Sequence, residues 1–168
     1  MDKTTIMFVC TGNVCRSPLA QGVFEHCARL QGVGDRFAVQ SAGLQSFHVG
    51  EQVDSRTRQV AREYGVHLDH QARQIQARDL RDYDLILAMD RAQLQELRRM
   101  TGGDPEHSEK IRLFGEFDPE SESSTEIPDP HSAEDEGEAF RAMFEIIERT
   151  ARNLIEQRVR QHSPAGRG

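Results

Sequence analysis

Cys10-Thr11-Gly12-Asn13-Val14-Cys15-Arg16-Ser17-Pro18 follows the apolar run Ile6-Met7-Phe8-Val9 and leads into Leu19 to Leu30, which has helical periodicity. The apolar run reads as a buried parallel strand, so a strand, a tight polar turn and a helix start arrive in that order. Gly12 and Asn13 are the two residue types that most readily take left-handed backbone angles, which lets successive N–H groups point into one concave space. Ser17 and Pro18 suit the cap and first turn of the next helix, whose open N–H groups and positive dipole end favour an anion. Arg16 adds a planar fork of donors. All of this positive potential converges on Cys10 at the end of the strand and favours its thiolate, the nucleophilic form. The stretch is laid out as an anion cradle with Thr11 to Ser17 around the anion and a nucleophile at its base.

Outward from it, Phe37-Ala38-Val39-Gln40-Ser41 is a second strand closed by Ala42-Gly43, and Ser55 to Tyr64 is helical and stops at Gly65. His67 to Arg81 is polar and ambiguous, with a short helix near Ala77 to Leu80. Leu85 to Met89 is a buried strand, Arg91 to Met100 an amphipathic helix, Ile111 to Phe114 a short fourth strand. Glu138 to Arg160 closes the chain as a helix with Phe140, Met143, Phe144, Ile147, Ala151, Leu154 and Ile155 at core spacing. Strands alternating with helices predict a three-layer α/β fold, a central four-stranded parallel twisted sheet with helices on both faces. Ligands in such sheets lie beyond the carboxyl ends of the strands, where Cys10 falls. A single domain is expected over residues 1–161, with residues 162–168 as a flexible tail.

The 168 residues carry 28 acids and 21 Lys plus Arg, a formal charge of −7. Ten of the acids lie between Gly115 and Glu138, where there is no Lys or Arg, which leaves 18 acids against 21 bases elsewhere. For most of that segment a solvated linker is expected. No basic stripe with interleaved aromatics supports a nucleic-acid partner, and no apolar stretch has the roughly twenty residues of a membrane span. Cys10, Cys15 and Cys27 do not make a disulfide framework. A reactive thiol fits a reducing compartment, so a cytoplasmic protein is expected. Monomer or weak dimer is the expected state.

A thiolate beneath a phosphate cradle is aimed at phosphorus, and its partner would be a general acid. Ile127-Pro128-Asp129-Pro130 offers one, a carboxyl braced between two prolines. The string Val-Cys-Thr-Gly-Asn-Val-Cys-Arg-Ser-Pro at the N-terminus closely resembles the low-molecular-weight protein tyrosine phosphatases. Ser41-Ala42-Gly43, Phe47-His48-x-Gly50, Asp54-x-Arg56, His70 to Gln74 and Leu87-Ala88-Met89-Asp90 extend the likeness from about Thr5 to Leu154.

The resemblance implies phosphotyrosine hydrolysis in phosphorylated proteins in two steps. Cys10 attacks phosphorus while the loop amides and Arg16 hold the oxygens, Asp129 protonates the leaving group, and Asp129 then activates water against the phosphocysteine. Protein donors bind all three oxygens, so no metal or other cofactor is expected, and inorganic phosphate or similar oxyanions would bind as product or inhibitor. The resemblance further implies a network of Asn13, Ser41 and His70 supporting the loop, and a Ser17 hydroxyl bonded to the thiolate.

This chain departs from the family at two positions. Phe47 offers one aromatic cleft wall, but His131 stands where a tyrosine is usual, which weakens ring stacking. Thr11 resembles the branch that acts on phosphoarginine, and protein arginine phosphatase is the alternative reading. Cys15 is the candidate redox partner for Cys10. Arsenate reduction would need more relay cysteines than Cys27 supplies, and a non-catalytic phosphate-binding module would be expected to lack Cys10, Arg16 or Asp129.

Overall fold

The computed structural model describes residues 3–121 and 126–161. Among them four parallel strands form one sheet in the order β2-β1-β3-β4, made of β1 (Thr4–Cys10), β2 (Phe37–Gly43), β3 (Leu85–Ala88) and β4 (Ile111–Leu113). The first strand is central: Cys10 pairs with Gly43 on one side, and Val9 with Ala88 on the other. The helices are α1 (Arg16–Leu30), α2 (Ser55–Glu63), α3 (Ala77–Asp82), α4 (Arg91–Met100), α5 (Pro105–Ser108) and α6 (Glu136–Gln161).

The period-2 alternation of β1 divides the core between the two faces of the sheet. Ile6, Phe8 and Cys10 are buried with Leu19, Phe24, Phe144 and Ile147 of α1 and α6. Met7 and Val9 are buried with Ile75, Leu80 and Leu97 beneath α3 and α4. The three-layer α/β arrangement expected from the sequence is therefore present, with the loop after β1 at the carboxyl end of the central strand.

Three local readings change and one is resolved. Helix α1 begins at Arg16, so Ser17 lies inside its first turn rather than capping it; the Ser17 hydroxyl bonds instead to Cys10 and Asn13, as described below. The ambiguous stretch over 67–76 resolves into irregular chain with bridges between Gln52 and Gln71 and between Gly43 and Gln74, and the short helix expected near Ala77 to Leu80 is present as α3. The short α5, capped by Asp104 with Pro105 in its first turn, was not anticipated. The acidic segment is docked at both of its described ends rather than simply solvated: Arg149 pairs with Asp118 at 2.8 Å, and the Glu126 carboxylate accepts the Arg91 N–H at 2.8 Å. Residues 122–125 and the tail expected over residues 162–168 lie outside the described residues.

Candidate active site

The loop after β1 is held by its carbonyls. Leu44 N–H donates to the Cys10 carbonyl (3.0 Å), Gln45 N–H to that of Thr11 (3.0 Å) and Asp54 N–H to that of Val14 (2.7 Å). In a planar trans peptide the C=O and the following N–H point in opposite directions. Anchoring those three carbonyls outward therefore turns the N–H groups of Thr11, Gly12 and Cys15 toward the inside of the loop. Asn13 takes the left-handed angle the sequence calls for, with φ of 60°. A Cβ at Gly12 would lie 2.9 Å from Cδ2 of His48, whose half-exposed side chain would have to shift. Gly43 is needed for space from below, since a Cβ there would meet the Thr11 carbonyl oxygen at 2.9 Å.

Fully buried Asn13 organises the site. Its Oδ1 accepts from the Arg73 backbone N–H (2.9 Å) and from His70 Nε2 (2.8 Å). Because the Arg73 N–H can only donate, the amide orientation is fixed and its Nδ2 must face the hydroxyls. Nδ2 donates to Ser17 Oγ (2.9 Å) and Ser41 Oγ (3.0 Å). Ser17 Oγ, accepting that bond, lies 2.9 Å from Cys10 Sγ, where either atom can serve as the donor and a thiolate could only accept. Ser41 in turn donates to Gln21 Oε1 at 2.7 Å. Burial, then the charge of Arg73, pushes the His70 imidazole down, which keeps the ring neutral with its proton on Nε2. The structure thus brings Cys10, Asn13, Ser17, Ser41 and His70 into one chain of hydrogen bonds.

Arg16 is buried and braced from the opposite side. Its Nη1 lies 3.2 Å from Asp90 Oδ2 and donates to the Ile127 carbonyl at 3.0 Å, while Ile127 N–H returns to the Met89 carbonyl at 2.8 Å. The guanidinium therefore ties the end of β3 to the segment that carries Asp129. The Asp129 carboxylate is half exposed, and its Oδ1 accepts from both the backbone N–H (3.1 Å) and ring Nδ1 (2.9 Å) of His131. Partial burial pushes this carboxyl up, but the two His131 donors and the charge of Arg16 outweigh it and hold the group below its ordinary value. Asp54 caps α2 and pairs with Arg56, which holds its carboxyl down against burial.

One flank is set by Gln93, which the sequence did not single out, and the others by Phe47 and Cys15, which it did. Gln93 donates from Nε2 to Thr11 Oγ1 at 3.1 Å, and its Oε1 accepts from Met89 and Asp90 N–H. Phe47 stands 80% exposed on the turn whose His48 overlies Gly12. The Cys15 thiol is buried, receives the Thr57 hydroxyl at 3.3 Å and lies 3.9 Å from Met143 Sδ. Burial pushes it up to about 12, with the nearby charges of Cys10 and Asp54 adding to the rise. Cys27 is core. Asp54 and Asp90 were legible as family-like strings without roles; Gln93 and Gln21 gave no signal.

A thiol under a serine hydroxyl, a loop with inward N–H groups, a braced arginine and a carboxyl on a proline-bounded turn define a cysteine-dependent phosphatase. The profile of the low molecular weight phosphotyrosine protein phosphatase family matches residues 5–164. A low molecular weight protein-tyrosine-phosphatase from Streptomyces coelicolor is 36% identical over 151 residues, which is 89% of this chain and 90% of that one. The mouse low molecular weight phosphotyrosine protein phosphatase is 33% identical over 157 residues, 94% of this chain and 97% of that one. A crystal structure of a protein tyrosine phosphatase from Entamoeba histolytica superposes with a TM-score of 0.87 at 30% identity, covering 96% of this chain and all of that one. This chain belongs to the low molecular weight phosphotyrosine protein phosphatase family.

Proposed function

We propose that the protein hydrolyses phosphotyrosine in protein substrates through a phosphocysteine intermediate. Cys10 is the nucleophile, Arg16 and the N–H groups of residues 11–17 bind the phosphoryl oxygens, and Asp129 is the acid and then the base. The observation that carries this reading is the Ser17 hydroxyl held by Asn13 at 2.9 Å from Cys10 Sγ, where a thiolate, which can only accept, would take the hydroxyl proton as a hydrogen bond. A hydroxyl so oriented stabilises a thiolate at the base of an anion loop, which is what attack on phosphorus needs. The dianionic phosphate of the substrate pushes the Asp129 carboxyl back up on binding, so the acid form returns when it is required.

Phosphotyrosine is favoured over phosphoarginine because the Thr11 hydroxyl is already held by Gln93, while Phe47 presents an open aromatic face. The second reading rests on Thr11 itself and on a Drosophila arginine phosphatase structure that superposes with a TM-score of 0.83 at 31% identity. No helix among the described residues is long and apolar enough to cross a membrane. A reducing compartment such as the cytoplasm suits the Cys10 thiol. Should Cys10 be oxidised to a sulfenic acid, attack by the Cys15 thiol would form the Cys10–Cys15 disulfide and release water, protecting the nucleophile.

The test is steady-state hydrolysis of a phosphotyrosine peptide and a phosphoarginine peptide by one preparation, without metal and with a thiol reductant. Preference for the phosphotyrosine peptide is expected. Preference for phosphoarginine would assign selectivity to Thr11, and no turnover of either would overturn the phosphatase reading. Asp129→Ala should lower kcat/KM on the phosphotyrosine peptide by roughly 10²-fold or more and kcat/KM on 4-nitrophenyl phosphate far less, since only the first leaving group needs its proton supplied.

A further inference from the structure

His131 occupies a cleft position where the family resemblance leads one to expect a tyrosine, and the structure gives it contacts that a ring wall would not need. Its Nδ1 lies 2.9 Å from Asp129 Oδ1, and its backbone N–H reaches the same oxygen at 3.1 Å. Since Asp129 is held ionised, Nδ1 must carry the proton and donate it. The ring is fixed from other elements as well. Phe140 of α6 meets it edge to face with centroids 5.6 Å apart, and Asp54 Oδ2 at the start of α2 lies 3.7 Å from Nε2. Arg56 of α2 lies over the same Phe140 ring, 5.1 Å from its centroid, and pairs with Asp54 and with Glu136 of α6. Arg16 is the further charge acting on Asp129.

We propose that His131 is a positioning residue for Asp129, pinning one carboxylate oxygen with two donors so that the carboxylate is oriented for the water that hydrolyses the phosphocysteine. This rests on the general acid and base reading of Asp129. After the first half-reaction Asp129 has given its proton to the leaving oxygen and is a carboxylate. His131 then holds its plane, and the carboxylate takes a proton from the attacking water as the S–P bond breaks and the Cys10 thiolate leaves. The same donation opposes the acid form of Asp129, which is lost as pH rises through its depressed value. Removing the donor raises that value, so acid catalysis must survive to higher pH.

The experiment compares wild type, His131→Phe, His131→Gln, His131→Asn and Asp129→Ala. Phenylalanine keeps a ring against Phe140 without a donor, glutamine is polar but places its amide beyond the Nδ1 position, and asparagine places a donor near that position. Two readouts are taken. The first is kcat on 4-nitrophenyl phosphate, whose good leaving group makes phosphoenzyme hydrolysis limiting. The second is the pH profile of kcat/KM on a phosphotyrosine peptide. His131→Phe and His131→Gln are expected to lower the first kcat by roughly three- to tenfold. Both should also move the basic limb of the peptide profile up by about half a pH unit. His131→Asn should restore both readouts to near wild type. A kcat unchanged by the Phe and Gln variants, or an Asn variant as impaired as they are, would overturn the proposal and leave His131 as a wall. If Asp129→Ala loses equally in kcat/KM on both substrates, the general acid reading beneath it is overturned instead.

Discussion

Cys10→Ser is expected to abolish turnover, with a loss of about 10⁴-fold or more on any phosphomonoester, while phosphate binding survives and tightens. A serine hydroxyl in that position is not ionised by the donors that favour a thiolate, so the attacking electron pair is missing at neutral pH. The donors themselves remain. The carbonyls of Cys10, Thr11 and Val14 are still anchored by Leu44, Gln45 and Asp54, and Arg16 is still braced by Asp90 and Ile127. On the proposed reading, in which Cys10 works as a thiolate, the substitution also removes a like-charge repulsion beneath the bound anion, so affinity for inorganic phosphate should rise rather than stay level. Calorimetric titration with phosphate, alongside a progress curve on 4-nitrophenyl phosphate, separates the two effects. Measurable hydrolysis by the mutant would sink Cys10 as the nucleophile, and loss of phosphate binding would mean that the thiolate shapes the loop as well as attacking.

What could be seen from sequence was whatever the chain specifies locally. The strand, turn and helix around Cys10 span few residues, each with a conformational preference of its own, and β1 alternates its side chains between the two faces of the sheet as the spacing requires. The Asp129 turn is equally local: the carboxylate accepts from the backbone N–H of a residue two positions on. What could not be seen were partners brought in by chain closure. Asp90 lies 74 residues from Arg16 and Gln93 lies 82 from Thr11, and neither carries a signature that names its partner. Both stand where α4 begins, with Asp90 accepting the Gln93 N–H at 2.9 Å, so a helix cap places the braces of the loop. Of the two roles expected for Ser17, the bond to Cys10 is present and the helix cap is not. Its residue type suits a helix cap, but the nearby thiol and the Asn13 amide compete for its hydroxyl, and they win because both are buried and would otherwise lack partners.

Asn13→Ala should be the most damaging substitution outside the reacting groups, because Asn13 combines a left-handed backbone with four side-chain hydrogen bonds, two buried and two part-buried. Alanine at φ of 60° costs roughly 1–2 kcal/mol in the backbone alone. The Arg73 N–H then loses its acceptor, at about 1–3 kcal/mol for an unsatisfied donor, while His70 Nε2–H is left with the longer bond to Ser41 Oγ at 3.3 Å. A total near 4 kcal/mol follows, and at roughly 2–4 °C per kcal/mol for a domain of this size the melting temperature should fall by about 10 °C. Activity should fall independently of folding. Without the Nδ2 donation the Ser17 hydroxyl is free to rotate away from Cys10, and the inward N–H groups lose the residue that sets the turn, so kcat/KM should drop by about 10²–10³-fold at temperatures where the variant is folded. Asn13→Gly separates the two contributions. Glycine accepts the left-handed angle, so it should recover the backbone part of the stability loss and almost none of the activity. If glycine restored activity as well, the loop would be held by its backbone angle alone, and the chain of hydrogen bonds from Arg73 through Asn13 and Ser17 to Cys10 would have no part in preparing the thiolate.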